Sequence, residues 1–166
     1  MGGAKYLITN ASFKVTFWFR IASYLKQKKG IFFYILYFLS LVVLKHYNFK
    51  TGIQLSPGTK IGGGLTFGHF SCIVINDCSI IGRNCTIFQG VTIGSARGKG
   101  TPIIGDNCIL FAGAKIIGNV KLGNNVVVGA NAVVVKDIPD NCICAGIPAK
   151  IINNDSSETI KLYIEK

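Results

Sequence analysis

The sequence contains two histidines, His46 and His69, which are its clearest candidates for acid–base chemistry. Histidine titrates near neutral pH, so a positioned imidazole can remove the proton from a hydroxyl group. His46 follows Lys45 at the end of an apolar segment, where a surface or packing role is expected. His69 follows Gly68 within a repetitive stretch and is the stronger candidate for a catalytic base.

The six cysteines offer no clear metal site or disulfide framework. The closest pair, Cys142 and Cys144, has a Cys-x-Cys spacing that does not match a metal-binding or redox motif. The opening residues lack the apolar core of a secretory signal. We therefore expect reduced, packed cysteines in a cytoplasmic protein, and no metal.

Charge is distributed unevenly along the chain. The formal net charge is +11, from 18 Lys and Arg against 7 Asp and Glu. All the acids lie at or after Asp77, so residues 1–76 carry cations alone. This asymmetry predicts contact with phosphate groups, a polyanion or an anionic membrane surface. No nucleic-acid-binding motif accompanies it, so we expect no nucleic-acid partner.

Residues 1–50 are predicted to form a small helical region. Residues 12–26 have the spacing of an amphipathic helix, with an apolar stripe of Phe13, Phe17, Ile21, Tyr24 and Leu25. A second helix is expected from about residue 31 to residue 47. Its apolar run, Ile31–Leu44, is shorter than the roughly 20 residues that span a bilayer. Two interpretations stay open for it, a buried helix or a peripheral contact with an anionic membrane.

Beyond residue 50 the apolar period changes to six. One large apolar anchor recurs at every sixth residue, often followed by glycine. The anchors are Leu55, Ile61, Phe67, Ile73, Ile81, Ile87, Ile93, Ile104, Leu110, Ile116, Leu122, Val128 and Val134. Three hexads form one triangular coil of a parallel β-helix, with the anchors inside. The spacing lengthens around Asn76-Asp77 and around residues 96–100, where we expect a bulge and an extruded loop.

Five segments carry a family resemblance: Pro57–Gly62, Gly68–Ile75, Gln89–Gly94, Ala112–Asn119 and Ala145–Ile151. Through them, residues 52–152 resemble the hexapeptide-repeat acyltransferases, and within these the serine O-acetyltransferase branch. The implied fold is mainly β, a left-handed parallel β-helix with a short N-terminal helical region. The domains expected are a helical head (1–50), the β-helix (51–152) and a polar C-terminal tail (153–166).

The same resemblance implies a homotrimer that binds acetyl-CoA in the groove between neighbouring β-helices. By motif, His69 matches the catalytic base, and backbone near Gly94 and Ser95 would stabilise an oxyanion. The residues expected along acetyl-CoA are Gly94, Ser95, Ala112, Ala130 and Lys150. The candidates for contact with the acceptor substrate are Asn76, Asp77 and Gln89. For Asn76-Asp77, capping of a turn is the alternative role.

Departures from the serine O-acetyltransferase pattern bear on the acceptor. That branch has an Asp upstream of the catalytic histidine, an Asp directly before it and a second histidine in the extruded loop. Here these positions hold Gln54, Gly68 and Thr101. Because no acid precedes Asp77, His69 must be oriented by Asp77, by a neutral group or by an adjoining subunit. In this combination the chain is more similar to the relatives that acetylate sugar hydroxyls in surface polysaccharide biosynthesis, so a sugar is the acceptor that the resemblance implies.

Two other functions stay open. One is serine O-acetyltransferase activity in cysteine biosynthesis, and the other is a non-catalytic β-helix scaffold. A zinc-dependent carbonic anhydrase of the gamma type is excluded, because it needs three histidine ligands and the chain has two. We expect the protein in the cytoplasm, and at the inner face of the membrane if the helical head binds lipid.

Overall fold

Two helices, fifteen short strands and a final helix follow one another along the described residues, 10–97 and 100–164, of the computed structural model. The helices are α1 (Ala11–Lys26), α2 (Ile31–Thr51) and α3 (Ser157–Ile164). The strands are β1 (Ile53–Gln54), β2 (Lys60–Ile61), β3 (Thr66–Phe67), β4 (Ile73–Ile75), β5 (Ile80–Ile81), β6 (Thr86–Ile87), β7 (Thr92–Gly94), β8 (Ile103–Ile104), β9 (Ile109–Leu110), β10 (Lys115–Ile117), β11 (Lys121–Leu122), β12 (Val127–Val128), β13 (Val133–Val134), β14 (Ile143–Ala145) and β15 (Lys150–Asn153).

The strands form three sheets that wind into a β-helix. The first sheet contains β1, β4, β7, β10 and β13, the second β2, β5, β8 and β11, and the third β3, β6, β9, β12, β14 and β15. Neighbouring strands pair in parallel, except that β15 pairs antiparallel with β14. Consecutive strands from β1 to β12 therefore belong to successive sheets. The predicted fold class, a mainly β parallel β-helix with N-terminal helices, is confirmed.

The apolar anchors lie inside the β-helix. Each of them is buried except Ile61, which is half-buried. The residue after an anchor lies at a corner, where successive coils come close together. An added Cβ at Gly105 would lie 2.5 Å from the carbonyl oxygen of Gly123 in the next coil. Glycine is needed at this corner because backbone meets backbone there.

We expect Gly105→Ala to lower the free energy of unfolding by about 1–3 kcal/mol, because only a backbone shift could accommodate the methyl group. Gly63→Ala is the matched control, since nothing lies within 4 Å of a Cβ built at Gly63. That variant should be neutral or slightly stabilising. Urea unfolding of both variants measures the difference, and equal stability would contradict the close approach at Gly105.

A ladder of asparagines marks the corner between the second and third sheets. Asn84, Asn107, Asn125 and Asn141 have φ between 53° and 61°, a left-handed conformation that asparagine tolerates better than most residues. The first three side-chain amides each donate a hydrogen bond to the amide oxygen of the next asparagine, at 2.8–3.2 Å. The ladder therefore connects successive coils through side chains as well as backbone.

Helix α1 packs on the β-helix through a different face from the predicted one. Asn10 caps the helix, because its side chain accepts a hydrogen bond from the Phe13 amide at 3.0 Å. The buried residues are Val15, Phe19 and Ala22, whereas the predicted stripe is exposed or half-buried. The apolar side chains of this helix lie on more than one of its faces, so their spacing did not identify the face that packs against the β-helix.

Helix α2 is longer and more exposed than predicted. It has 21 residues and ends at Thr51, and Gly52, with a φ of 67°, forms a left-handed C-cap. Its mean hydropathy of 1.4 and its length would allow it to cross a membrane, although core helices and signal sequences share these properties. Its buried residues are Ser40, Leu44, Asn48 and Thr51. In the single chain, α2 is therefore mostly exposed rather than buried.

The C-terminal tail contains α3, which the sequence analysis did not predict. The Asp155 side chain accepts a hydrogen bond from the Ser157 amide at 2.9 Å, and this bond lowers the pKa of the Asp155 carboxyl. Ile160 is buried against Ile109 and Val127 of the third sheet. The apolar signal of one short helix with a single buried residue was too weak to distinguish it from a polar tail.

All six cysteines are free thiols. Four of them are buried, as expected for packed cysteines: Cys85, Cys108, Cys142 and Cys144. Cys72 and Cys78 differ from the prediction, because they lie exposed in turns at two corners of the β-helix.

Candidate active site

Three predicted site residues lie in line at the corner between the third and first sheets. Strand pairing aligns Ile87 with Leu110 and Leu110 with Val128. Two residues beyond these, the aligned positions are Gln89, Ala112 and Ala130. Two of the three side chains are single methyl groups, so little side chain projects from this row along the outside of the corner. We call it the corner groove.

His69 lies at the same corner of the first coil, in an unusually long turn. The segment Phe67–Val74 takes seven steps of chain, whereas the paired segment Ile87–Thr92 takes five. The turn also contains two non-glycine residues with positive φ, Ser71 at 122° and Cys72 at 52°. Side chains rarely adopt these conformations, and such backbone strain tends to occur at functional sites.

The two extra residues were predicted one turn later, near Asn76-Asp77, and that placement is wrong. Ile73 and Ile75 are both buried, so counting hexads could take either as the anchor. The pairing of Ile75 with Ile93 shows that Ile75 is the equivalent residue. The Asn76 side chain accepts a hydrogen bond from the Cys78 amide at 2.9 Å. It therefore caps an ordinary turn, which is the alternative role expected for Asn76-Asp77.

An aromatic cluster of Phe88, Phe111 and Tyr163 lies beside His69. The His69 and Phe88 ring centroids are 6.0 Å apart. Phe88 stacks on Phe111 at 5.2 Å, and Tyr163 of α3 meets the two rings edge-on at 5.8 and 5.5 Å. The Phe88 ring also covers Gly68, because a Cβ there would lie 2.6 Å from it. A carboxylate could not replace Gly68 unless Phe88 moved.

Sequence reasoning missed this cluster. Phe88 and Phe111 each follow an anchor, at the position where glycine is common, and this departure from the hexad pattern could have revealed them. Tyr163 had no comparable signal, because its part in the cluster depends on how α3 packs.

Among the described residues of the chain, His69 has no acidic partner. His69 is exposed, and within residues 10–97 and 100–164 no carboxylate hydrogen-bonds to it. Asp77 lies in the turn between β4 and β5, at the corner between the first and second sheets. Within the described residues, Asp77 therefore does not pair with His69, and the neutral group beside the imidazole is the Phe88 ring.

A second group of predicted residues meets at the corner between the first and second sheets. Asn76, Asp77 and Gly94 line one cavity of about 680 Å³ together with Gln54. Helix α2 supplies part of the wall, through Lys45, Asn48 and Phe49. Ser95 follows Gly94 at the start of the connection between β7 and β8, where the extruded loop was predicted. Residues 98 and 99 of that loop lie outside the described residues.

Thr101 lies at the corner of the second group, and Lys150 lies two strands beyond the coil of Ala130 in the third sheet. The Thr101 hydroxyl donates a hydrogen bond to the Cys78 carbonyl at 3.0 Å, so it connects the two turns at its corner. Lys150 is exposed on β15, five strands along the third sheet from β3. At about 4.8 Å per strand this places Lys150 roughly 24 Å from the coil of His69. Within the part of the chain that the structure describes, no three His, Cys, Asp or Glu residues form a metal-binding group.

Comparison with known proteins places this geometry in a family. The serine acetyltransferase of Staphylococcus aureus (strain Mu50) is 44% identical over 118 residues, which cover 69% of this chain and 55% of that protein. The family model described as bacterial transferase hexapeptide (six repeats) matches residues 101–136. The chain belongs to the hexapeptide-repeat transferases.

Other members of this transferase family show similar sequences and folds. The serine acetyltransferase of Synechococcus elongatus is 40% identical over 105 residues, 61% of this chain and 43% of that protein. A serine acetyltransferase in complex with CoA is 30% identical with a TM-score of 0.76, covering 90% of this chain and 60% of that chain. The soybean enzyme complexed with serine is 29% identical with a TM-score of 0.78, at the same coverage. This chain thus spans about two fifths to three fifths of the length of these relatives.

Proposed function

We propose that this hexapeptide-repeat transferase is an O-acetyltransferase that moves the acetyl group of acetyl-CoA to the hydroxyl of L-serine. The observation that carries the proposal is His69, exposed at the corner where Gln89, Ala112 and Ala130 form the groove. The departures from the serine O-acetyltransferase pattern at Gln54, Gly68 and Thr101 favoured a sugar acceptor. The relatives and the solved complexes named above are serine acetyltransferases, and they support the serine alternative better.

The corner groove is suited to a long, narrow acyl donor. The methyl side chains of Ala112 and Ala130 project little from the corner, with His69 in the coil at one end of the row and Lys150 two strands beyond Ala130 at the other. The ammonium group of Lys150 can bind a phosphate of coenzyme A as a point charge. The thioester would then lie at the opposite end, within reach of His69.

The oxyanion site requires a second copy of the chain. His69 and Gly94 lie at different corners of the same β-helix, so one chain does not bring them together. A closed ring of identical chains repeats a single contact between two different surfaces. In a homotrimer of this kind, the His69 corner of one copy would face the Gly94 corner of its neighbour, and that neighbour would supply backbone N–H groups near Ser95.

The reaction follows from the chemistry of these groups. An imidazole nitrogen of His69 takes the proton of the serine hydroxyl, and the oxygen attacks the thioester carbonyl. Backbone N–H groups near Gly94 and Ser95 stabilise the negative charge on the carbonyl oxygen. The carbon–sulfur bond then breaks, and the imidazolium returns its proton to the departing thiolate. The products are O-acetylserine and coenzyme A.

A sugar hydroxyl is the second candidate acceptor. The observation in its favour is the neutral surroundings of His69, where Gly68 and Phe88 leave no carboxylate to bind the ammonium group of an amino acid. The same His69 chemistry would apply, with a different group in the acceptor pocket.

Thiol release from acetyl-CoA tests the proposal. We expect release with L-serine and none with L-alanine, which has the same ammonium and carboxylate groups but no hydroxyl. Release with sugar acceptors alone would overturn serine as the substrate. If coenzyme A also failed to raise the melting temperature, the enzyme proposal would fail and a scaffold role would replace it.

A further inference from the structure

One face of α2 is apolar and exposed along the length of the helix. Its residues are between 52% and 86% exposed: Ile31, Phe32, Tyr34, Ile35, Phe38, Leu39, Val42 and Phe49. They recur at the spacing of one helix face, opposite the buried Leu44 and Asn48. We call this face the α2 stripe. Monomeric soluble proteins rarely leave an apolar patch of this length uncovered.

Lysines flank both ends of the α2 stripe. Lys26, Lys28 and Lys29 lie at the turn before α2, Lys45 and Lys50 lie near its end, and all five are exposed. Residues 1–76 contain no Asp or Glu, so no acidic side chain from this half of the chain neutralises them. A helix with an apolar face and flanking cations binds at the surface of an anionic bilayer.

Two hollows adjoin the stripe and match the two parts of a lipid. A groove of about 420 Å³ between α1 and α2 is lined by six apolar residues, among them Trp18 and Leu39, and by Ser40. A depression of about 510 Å³ at the turn combines Lys26 and Lys28 with apolar residues that include Ile31. The groove suits acyl chains, and the depression suits a phosphate headgroup.

We propose that the α1–α2 hairpin binds the surface of an anionic phospholipid membrane. The α2 stripe would lie at the boundary of the acyl chains, with Lys26, Lys28 and Lys29 at the phosphates. A second copy of this chain fits the surface less well, because a symmetric contact would bring the two sets of lysines together without a carboxylate. The proposal does not rest on acetyl transfer, because Lys26, Lys28 and Lys29 lie at the opposite end of α2 from Lys45 and Phe49, which line the cavity of Gly94.

Vesicle co-sedimentation of the full chain tests the proposal. The probes are vesicles of phosphatidylcholine alone and of phosphatidylcholine mixed with phosphatidylglycerol. We expect binding to the mixed vesicles only, and release near 1 M salt, where the Debye length falls to about 3 Å. The double variant Lys28→Glu/Lys29→Glu should bind at least about tenfold more weakly, since each lysine near an anionic surface strengthens binding about fivefold.

Matched variants distinguish vesicle binding through this surface from attraction caused by the net charge of the protein. Lys121→Glu/Lys136→Glu makes the same charge change at exposed positions of the β-helix, and it should keep vesicle binding. Ile35→Asn/Phe38→Asn removes apolar side chains from the stripe and should abolish binding without changing the thermal melt. Equal binding to neutral vesicles, or no binding to mixed ones, overturns the proposal. So does a stripe variant that changes the oligomer's size instead, because the stripe would then be a chain–chain interface.

Discussion

Replacement of His69 by alanine is expected to lower kcat/KM for acetyl transfer at least about 100-fold, because loss of a general base typically costs this much. His69 is exposed in a turn, so the fold and the affinity for coenzyme A should stay unchanged. His46→Ala is the matched control, because it removes an exposed imidazole from α2 and should leave the rate unaltered. Steady-state kinetics and calorimetric titration with coenzyme A measure the two quantities separately.

A His69→Ala variant that kept more than about a tenth of kcat/KM would exclude His69 as the base. A loss of coenzyme A affinity equal to the loss of rate would show that His69 serves to bind the donor. Either result leaves the fold assignment untouched, because the β-helix does not depend on this exposed side chain.

Truncation of Ile116 to alanine is expected to lower the free energy of unfolding by about 2–5 kcal/mol. Ile116 is fully buried and pairs with Ile93 and Val134 in the first sheet. The coils above and below are tied by strand pairing, so they cannot collapse into the space left behind. Urea unfolding at one protein concentration provides the measurement.

Ile152→Ala is the control for Ile116→Ala. Ile152 is 67% exposed on β15, so the same truncation there should cost less than about 1 kcal/mol. If both variants lost the same stability, the interior of the β-helix would be loosely packed and the role assigned to the anchors would be wrong.

The β-helix could be predicted because its period is a property of the chain itself. Each anchor points inward, so a large apolar residue must recur at every third of a coil, as from Leu110 to Ile116 to Leu122. The helices α1 and α2 were also predictable from composition and length. The buried face of α1 was not, because Val15 and Phe13 are equally apolar and only the neighbouring β-helix distinguishes them.

Individual residues of the candidate site could be predicted from the sequence, but their positions relative to one another were harder to predict. His69 could be selected because the chain has two histidines, and one of them lies on the β-helix. The position predicted for its long turn was wrong, because Ile73 and Ile75 both fit the hexad pattern of the sequence. The separation of Asp77 from His69 depends on which corner each occupies, and that required the strand pairing. The Tyr163 contact required the packing of a helix across coils distant in sequence.

The repeating coil also governs the length of ligand that the corner groove can accept. Strand pairing and the asparagine ladder join each coil to the next in the same way, so a coil inserted between His69 and Lys150 would preserve both. The distance between those two residues would grow by one strand spacing, about 4.8 Å. A smaller change in this distance would break the register of the strand pairing. Among proteins built on this plan, the span from base to terminal cation can therefore change only in whole coils.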